Sequence, residues 1–323
     1  MSVAACLLLY SLTVAALGPR LLTRWTRTGV APRLGVLAWL AAIASVPASW
    51  AAAALFLVIE LAHGWSRPGQ IVTNCLAVLE AVAAGHTGLA LQIGLFMVTA
   101  VALVVAAVLA VRLGRSLLAA RSRTHDHARM ARVIGRRLPG SEAVVVDTPE
   151  RLAYCVAGRP NTIVVTRGAL DALDAPHLAA VLAHERAHLA GRHHLLLSAT
   201  RGLATAMPKV GLFTVGAAEV ARLLEMCADD TAARCHGQRT VLGALLSLSG
   251  VVTLPTGALG ATGVGVVARA ERLAEPATLA QRWHARMLLT AIVTLLTIGP
   301  LLAGLLAATG VAFCDPAVLA LAM

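Results

Sequence analysis

The chain has 323 residues, of which 58% are apolar and only 13% charged, and its mean hydropathy is +0.78, values that exclude an ordinary soluble domain and a disordered one. A net charge of +11 and a pI near 10.8 would suit a nucleic-acid-binding module if the charge sat on one soluble domain, but the arginines are distributed between long apolar stretches. The composition is that of an integral membrane protein, with the lipid bilayer as its first partner and no direct contact with nucleic acid.

In chain order, four stretches lack Asp, Glu, Lys and Arg for long enough to cross a bilayer, which takes about 20 helical residues. They are Met1 to Pro19, Leu34 to Ile59, Ala81 to Val111 and Met287 to Cys314. A cleaved signal peptide would carry basic residues before its apolar run; here Arg20, Arg24 and Arg27 follow it, so the first stretch reads as a retained span. Arg20, Arg24, Arg27 and Arg33 fill the first connection, whereas Arg67 is the lone basic residue of the second. Arg112, Arg115, Arg121 and Arg123 follow the third span, and Arg282 and Arg286 precede the fourth. By the positive-inside rule both termini lie outside and the segment 112–286 is cytoplasmic, in a multi-pass protein of the plasma membrane. The organisation expected is therefore a three-span region over 1–111, a cytoplasmic domain over 112–286, and a fourth span with a short outer tail over 287–323.

The cytoplasmic segment opens with a charged, helix-like stretch from Arg112 to Arg137 that continues the third span. Short β-branched runs follow at Ala143 to Asp147, Leu152 to Val156 and Thr162 to Thr166, separated by turn residues, and predict a small sheet. Next, Asp174-Ala175-Pro176 supplies an N-cap and a first-turn proline, and Leu178, Val181, Leu182 and Leu189 form the apolar stripe of a buried helix. That helix carries His184-Glu185-Arg186-Ala187-His188, the H-E-x-x-H pattern. Residues i and i+4 share a helix face, so both imidazoles can reach one metal ion while Glu185 stays close enough to act on water. A buried helix has little reason to carry three such side chains otherwise, because unpaired polar groups in a core cost several kcal/mol. The pattern predicts one Zn²⁺ per chain.

A hydrolytic zinc usually takes three protein ligands, so one more is needed. Gly191 and His194 lie three and six residues after His188, as in a metzincin extension, but no Met-turn is found downstream. The other solution is Glu225-Met226-Cys227-Ala228-Asp229, where Glu225 ligates and Asp229, one turn on, orients a ligand histidine. Cys155, Cys227 and Cys235 lie in the reduced compartment without C-x-x-C spacing, and Cys6, Cys75 and Cys314 lie near the outer face; none is assigned to the metal. Two apolar stretches are ambiguous. Leu195 to Val220 is broken by Arg201, Pro208 and Lys209 and reads as membrane-associated, and Thr240 to Ala268, with Pro255 and several glycines, reads as cytoplasmic because a crossing there would invert the charge rule.

Val181 to His188, the preceding Thr162 to Leu170 and the later Glu225 to Asp229 together resemble the BlaR/MecR-type membrane metalloproteases, antirepressor proteins related to the HtpX-type and CaaX-processing proteases. The resemblance covers most of the chain and is strongest between Tyr154 and Asp230. It implies a mainly α, integral membrane fold: four transmembrane helices with a cytoplasmic α+β gluzincin-like zinc metalloprotease domain inserted between spans three and four. Antibiotic-sensing members carry a large outer penicillin-binding domain after the last span, whereas about ten residues follow Phe313 here. The chain in this respect resembles the sensorless actinobacterial members, whose implied role is regulatory proteolysis of a small winged-helix transcriptional repressor.

The expected mechanism places the metal on His184, His188 and Glu225, with Glu185 as the general base and Asp229 behind a ligand. Candidates for stabilising the oxyanion are His236, Arg234 and, less favoured, Arg192 or His193, which otherwise read as a solvated face. The strand containing Ile163, Val164 and Val165 is the candidate to hold the substrate as an added antiparallel strand. An HtpX-like quality-control protease is the enzymatic alternative. A signalling scaffold with a vestigial site is the other, and the intact His184, Glu185, His188, Glu225 and Asp229 argue against it. A transporter is disfavoured because the spans carry no Asp, Glu, Lys or Arg. Self-association of the chain is left open.

Overall fold

The computed structural model describes residues 3–64, 129–249 and 265–308, with a few separate positions between 97 and 118. It is mainly helical. Helices α1 (Val3–Thr26) and α2 (Pro32–Gly64) form an antiparallel hairpin, and α9 (Leu279–Ala308) packs beside it. Among the described residues, three helices are long and apolar enough to cross a bilayer, over Cys6–Thr26, Pro32–Phe56 and Leu279–Leu302. They correspond to the first, second and fourth expected spans; the stretch expected as the third falls almost wholly outside the described residues, as do Cys75, Cys314 and the outer tail. Leu9, Leu12, Leu295 and Leu301 remain exposed on these helices, an arrangement suited to lipid rather than water. Tyr10 Oη donates to the Leu296 carbonyl at 3.1 Å and fixes α1 against α9.

The sheet contains β1 (Arg136–Arg137), β2 (Ala143–Val146), β3 (Ala153–Val156) and β4 (Thr162–Thr166) in the order β1-β2-β4-β3. Strands β2, β3 and β4 occupy the three expected positions, while β1 lies where the helix-like stretch 112–137 was expected to run on; residues 129–134 are helical and the chain bends at Gly135. β4 pairs parallel with β2 (Ala143↔Ile163) and antiparallel with β3 (Cys155↔Ile163), and is buried throughout. This corrects the expectation that Ile163, Val164 and Val165 receive a substrate strand: both edges of β4 are already hydrogen-bonded, so it has no free donors or acceptors to offer. Among the described residues the free edge beside the H-E-x-x-H helix belongs to β3.

Helix α3 (Arg167–Ala172) leads into α4 (Ala175–Ala190), which carries H-E-x-x-H. The expected cap is present, with the Asp174 carboxylate accepting from the His177 N–H at 2.9 Å and Pro176 in the first turn. Helices α5 (His193–Ala206), α6 (Gly211–His236), α7 (Gln238–Ser249) and α8 (Val266–Ala274) complete the described domain; residues 250–264 lie outside it. The ambiguous stretch Leu195 to Val220 forms α5 and the first half of α6.

Two cores matter for the site. Ala143, Ile163, Val165 and Ala169 pack against Leu182 and seat α4 on the sheet. The second core joins the domain to the membrane helices: Leu212, Phe213, Val220 and Leu223 of α6 pack with Val36, Trp39, Ile43 and Val46 of α2. Gly29, in the α1/α2 turn at φ +62°, sits so close to α6 that a Cβ there would lie 2.2 Å from Met226 Sδ. Arg222 of α6 donates to the Thr26 carbonyl (2.9 Å) and the Arg27 carbonyl (3.2 Å), and Arg272 of α8 donates to the Gly29 carbonyl (2.9 Å). The hairpin turn is thus bound to both helices behind the site.

Candidate metal centre

Helix periodicity puts His184 and His188 on one face of α4, with ring centroids 4.8 Å apart and Nε2 atoms 3.1 Å apart. Glu225, from the middle of α6, completes a triangle: Oε2 is 3.5 Å from His184 Nε2 and Oε1 is 3.4 Å from His188 Nε2. Ligand atoms held about 2.0–2.1 Å from a tetrahedral zinc stand about 3.3 Å from one another, so these three separations already fit a bound ion. Among the described residues this is the cluster able to hold a metal, and His194 is not part of it.

The second nitrogen of each imidazole is held as well. His184 Nδ1 lies 3.0 Å from Asp229 Oδ1, one turn beyond Glu225 on α6. His188 Nδ1 lies 2.8 Å from Nδ1 of His193, a buried residue in the first turn of α5. Both Nε2 atoms therefore aim at the common point because their partners fix the ring orientation and tautomer. Asp229 is fully buried and held by Arg269 of α8, whose Nε and Nη2 each donate at 2.7 Å to a different oxygen; Arg269 Nη1 reaches Glu225 Oε2 at 3.0 Å.

The charges follow this geometry. Burial alone would raise the pKa of Glu225, but hydrogen bonding to His184 and the positive charge of Arg269 hold it down to about 2. Asp229 is likewise held at about 2 against the opposing effect of burial, by Arg269 and then His184. Burial would lower His184, yet its bonds to Asp229 and Glu225 raise it to about 9. His188 falls to about 4, chiefly through burial. At neutral pH His184 is protonated and His188 neutral, and both Glu225 and Asp229 are ionised.

Glu185 is buried, and burial raises its pKa. Its carboxylate accepts from the Cys155 thiol and backbone N–H, which places it against the free edge of β3, and burial together with Glu185 pushes the thiol pKa up. The structure brings His184, Glu185, His188, Glu225 and Asp229 together. His236 and Arg234 are not among them: both are exposed in the last turn of α6, and His236 is about 16 Å along the helix axis from Glu225. Arg192 is exposed, in a left-handed conformation (φ 49°). His193, expected on a solvated face, is instead buried against His188. Arg269 was not singled out from sequence at all, since a lone arginine 40 residues after Asp229 carries no local motif.

No solved structure matches the chain. Residues 118–253, which contain both helices of the cluster, match the model of peptidase family M48, a likeness that supports a metallopeptidase.

Proposed function

We propose that the chain is a membrane-anchored zinc endopeptidase that hydrolyses a peptide bond in a cytoplasmic protein, with a small winged-helix transcriptional repressor as the substrate class. The observation that carries the reading is the His184, His188 and Glu225 triangle, whose donor separations suit tetrahedral zinc and whose two histidines are each oriented from behind. The cytoplasmic placement rests on the arginines: Arg24 of α1, Arg27 just after it, and Arg282 and Arg286 of α9 lie at the same end of the spans as the domain.

Zinc bound there supplies Lewis acidity toward water and toward the scissile carbonyl. Glu185 is the general base. Its raised pKa suits a group that takes a proton from the attacking water and returns it to the departing amine. Asp229 and His193 hold the ring planes of His184 and His188, and Arg269 holds Asp229 and Glu225. The free edge of β3 aligns the substrate main chain, with pairing to the backbone of Ala153 to Val156 setting the scissile amide beside Glu185.

The test compares full-length wild type with Glu185→Gln for bound zinc and for cleavage of a purified winged-helix repressor. The reading requires about one zinc per chain in both and cleavage by wild type alone. Equal cleavage by the two proteins, or no metal in either, would overturn it.

A further inference from the structure

We infer that the protein has a binding site for the headgroup of an anionic phospholipid, in an arginine-lined groove between α1, α6, α8 and α9. The groove has a volume of about 1290 Å³ and lies where the domain meets the spans. Six arginines and three carboxylates line it. One of the six, Arg272, is already bound to Asp230. Arg24, Arg27, Arg282 and Arg286 are exposed, and among the described residues no carboxylate lies within ion-pair distance of them. The Arg282 side chain donates through Nε to the Ala277 carbonyl at 3.0 Å.

Depth identifies the occupant as a lipid. The Tyr10 to Leu296 hydrogen bond sets the antiparallel register of α1 and α9. Arg24 is fourteen residues beyond Tyr10 and Arg282 fourteen before Leu296, so both stand about 21 Å from that bond toward the domain. From Cys6, where the first span begins, Arg24 is about 27 Å along the axis, close to the ~30 Å thickness of a hydrocarbon core. The guanidinium groups therefore lie at headgroup level. Trp25 in the groove and the exposed Trp283 mark the same interfacial level. Immediately below, Leu17, Leu21 and Met287 are exposed on the lipid-facing sides of the two helices and supply apolar surface for acyl chains. A free phosphate has no use for that surface. A basic pocket between spans on the positive side is the arrangement that holds anionic headgroups.

The test uses the full-length chain in nanodiscs of phosphatidylcholine with a minor fraction of phosphatidylglycerol, and counts lipids retained after ejection by native mass spectrometry. Phosphatidylglycerol should be retained over phosphatidylcholine, and Arg24→Gln/Arg282→Gln/Arg286→Gln should reduce that preference at least about tenfold. Arg159→Gln/Arg167→Gln, on the sheet side, should leave it unchanged. Retention in proportion to bilayer composition, or an unaltered preference in the triple variant, would overturn the inference. So would displacement of the lipid by millimolar inorganic phosphate, which would mark a free-phosphate site. Should the triple variant not fold, wild type with a headgroup-diazirine phosphatidylglycerol gives the answer: crosslinks must map to 24–27 and 282–286, and labelling confined to other segments would refute the site. None of these readouts depends on proteolysis.

Discussion

Arg269 donates to both oxygens of Asp229 at 2.7 Å, and Asp229 in turn lies 3.0 Å from His184 Nδ1, so a residue on α8 fixes a histidine on α4 through a carboxylate on α6. Three helices thereby share one charge chain. Arg269→Ala would leave a fully buried carboxylate without its cation, a change that typically costs about 3–5 kcal/mol. We expect lower thermal stability together with metal affinity reduced about 10 to 100-fold, measured by competition with a chelator. Arg269→Lys should recover part of the stability but less of the affinity, because an ammonium cannot reproduce the bidentate contact. Unchanged metal affinity in Arg269→Ala would disprove the chain.

His193 should behave as a support and Glu225 as a donor. Glu225→Ala is expected to lose metal and activity together, whereas His193→Ala should retain metal with about 10 to 100-fold weaker affinity, because only the His188 Nδ1 contact is removed. His194→Ala should leave the metal in place, and if it alone stripped the ion, the third donor would have to be His194. Asp229→Asn should resemble His193→Ala, with His184 as the loosened ring.

These roles differ in how far sequence reveals them. The i, i+4 spacings of His184/His188 and Glu225/Asp229 are local, and helix geometry alone dictates a shared face. The β2, β3 and β4 runs were visible through their β-branched residues and flanking turns. Sheet order was not: β4 follows β3 in sequence but inserts between β3 and β2, which turned Ile163, Val164 and Val165 from a candidate substrate edge into an interior strand. Strand length and composition are the same in either order. His236 was a candidate to stabilise the oxyanion, but α6 runs unbroken to His236 and carries it about three turns beyond Glu225. Arg269 and His193 act through tertiary contacts, and nothing in their immediate neighbours announces them.

The pKa shifts give the metal-free protein a stability maximum near pH 6.5. The folded pKa of His184 is raised to about 9, so its contribution is complete below 6.5 and disappears as pH rises toward 9. His188 is depressed to about 4, so the folded form loses stability as pH falls from 6.5 toward 4. Glu225 and Asp229, both held at about 2, add a further loss below about pH 4.5. Thermal melts of chelator-treated Glu185→Gln across pH 4 to 9 should therefore peak near 6.5 and fall on both sides. Zinc should flatten the alkaline side, because a ligand nitrogen must be deprotonated to bind. An apoprotein most stable at pH 9 would contradict the His184 assignment.

The last prediction concerns the spans. His184 and His188 stand on a helix seated on the sheet, but Glu225 stands on α6, whose first half packs on Trp39 and Ile43 of α2 and whose Arg222 grips the end of α1. Trp39 is fully buried, and a Cβ at Gly216 would meet its ring at 3.1 Å, so α6 and α2 are in close contact nine residues before Glu225. Removing the spans leaves the two histidines supported and the third donor unanchored. A displacement of about 1 Å at a reacting centre can cost about 100-fold in rate. The detached segment 112–286 should thus bind zinc more weakly than the full chain and cleave its substrate at least about 100-fold more slowly, even when kept soluble with a mild detergent. Co-expression with 1–111 and 287–323 should restore both properties. In the full chain, Trp39→Ala should reproduce the defect in milder form, with a stability loss of about 3–5 kcal/mol and a fall in zinc affinity that His194→Ala does not show. Full zinc affinity and full activity from the isolated segment would reduce the spans to an anchor and remove any role for α2 in holding Glu225.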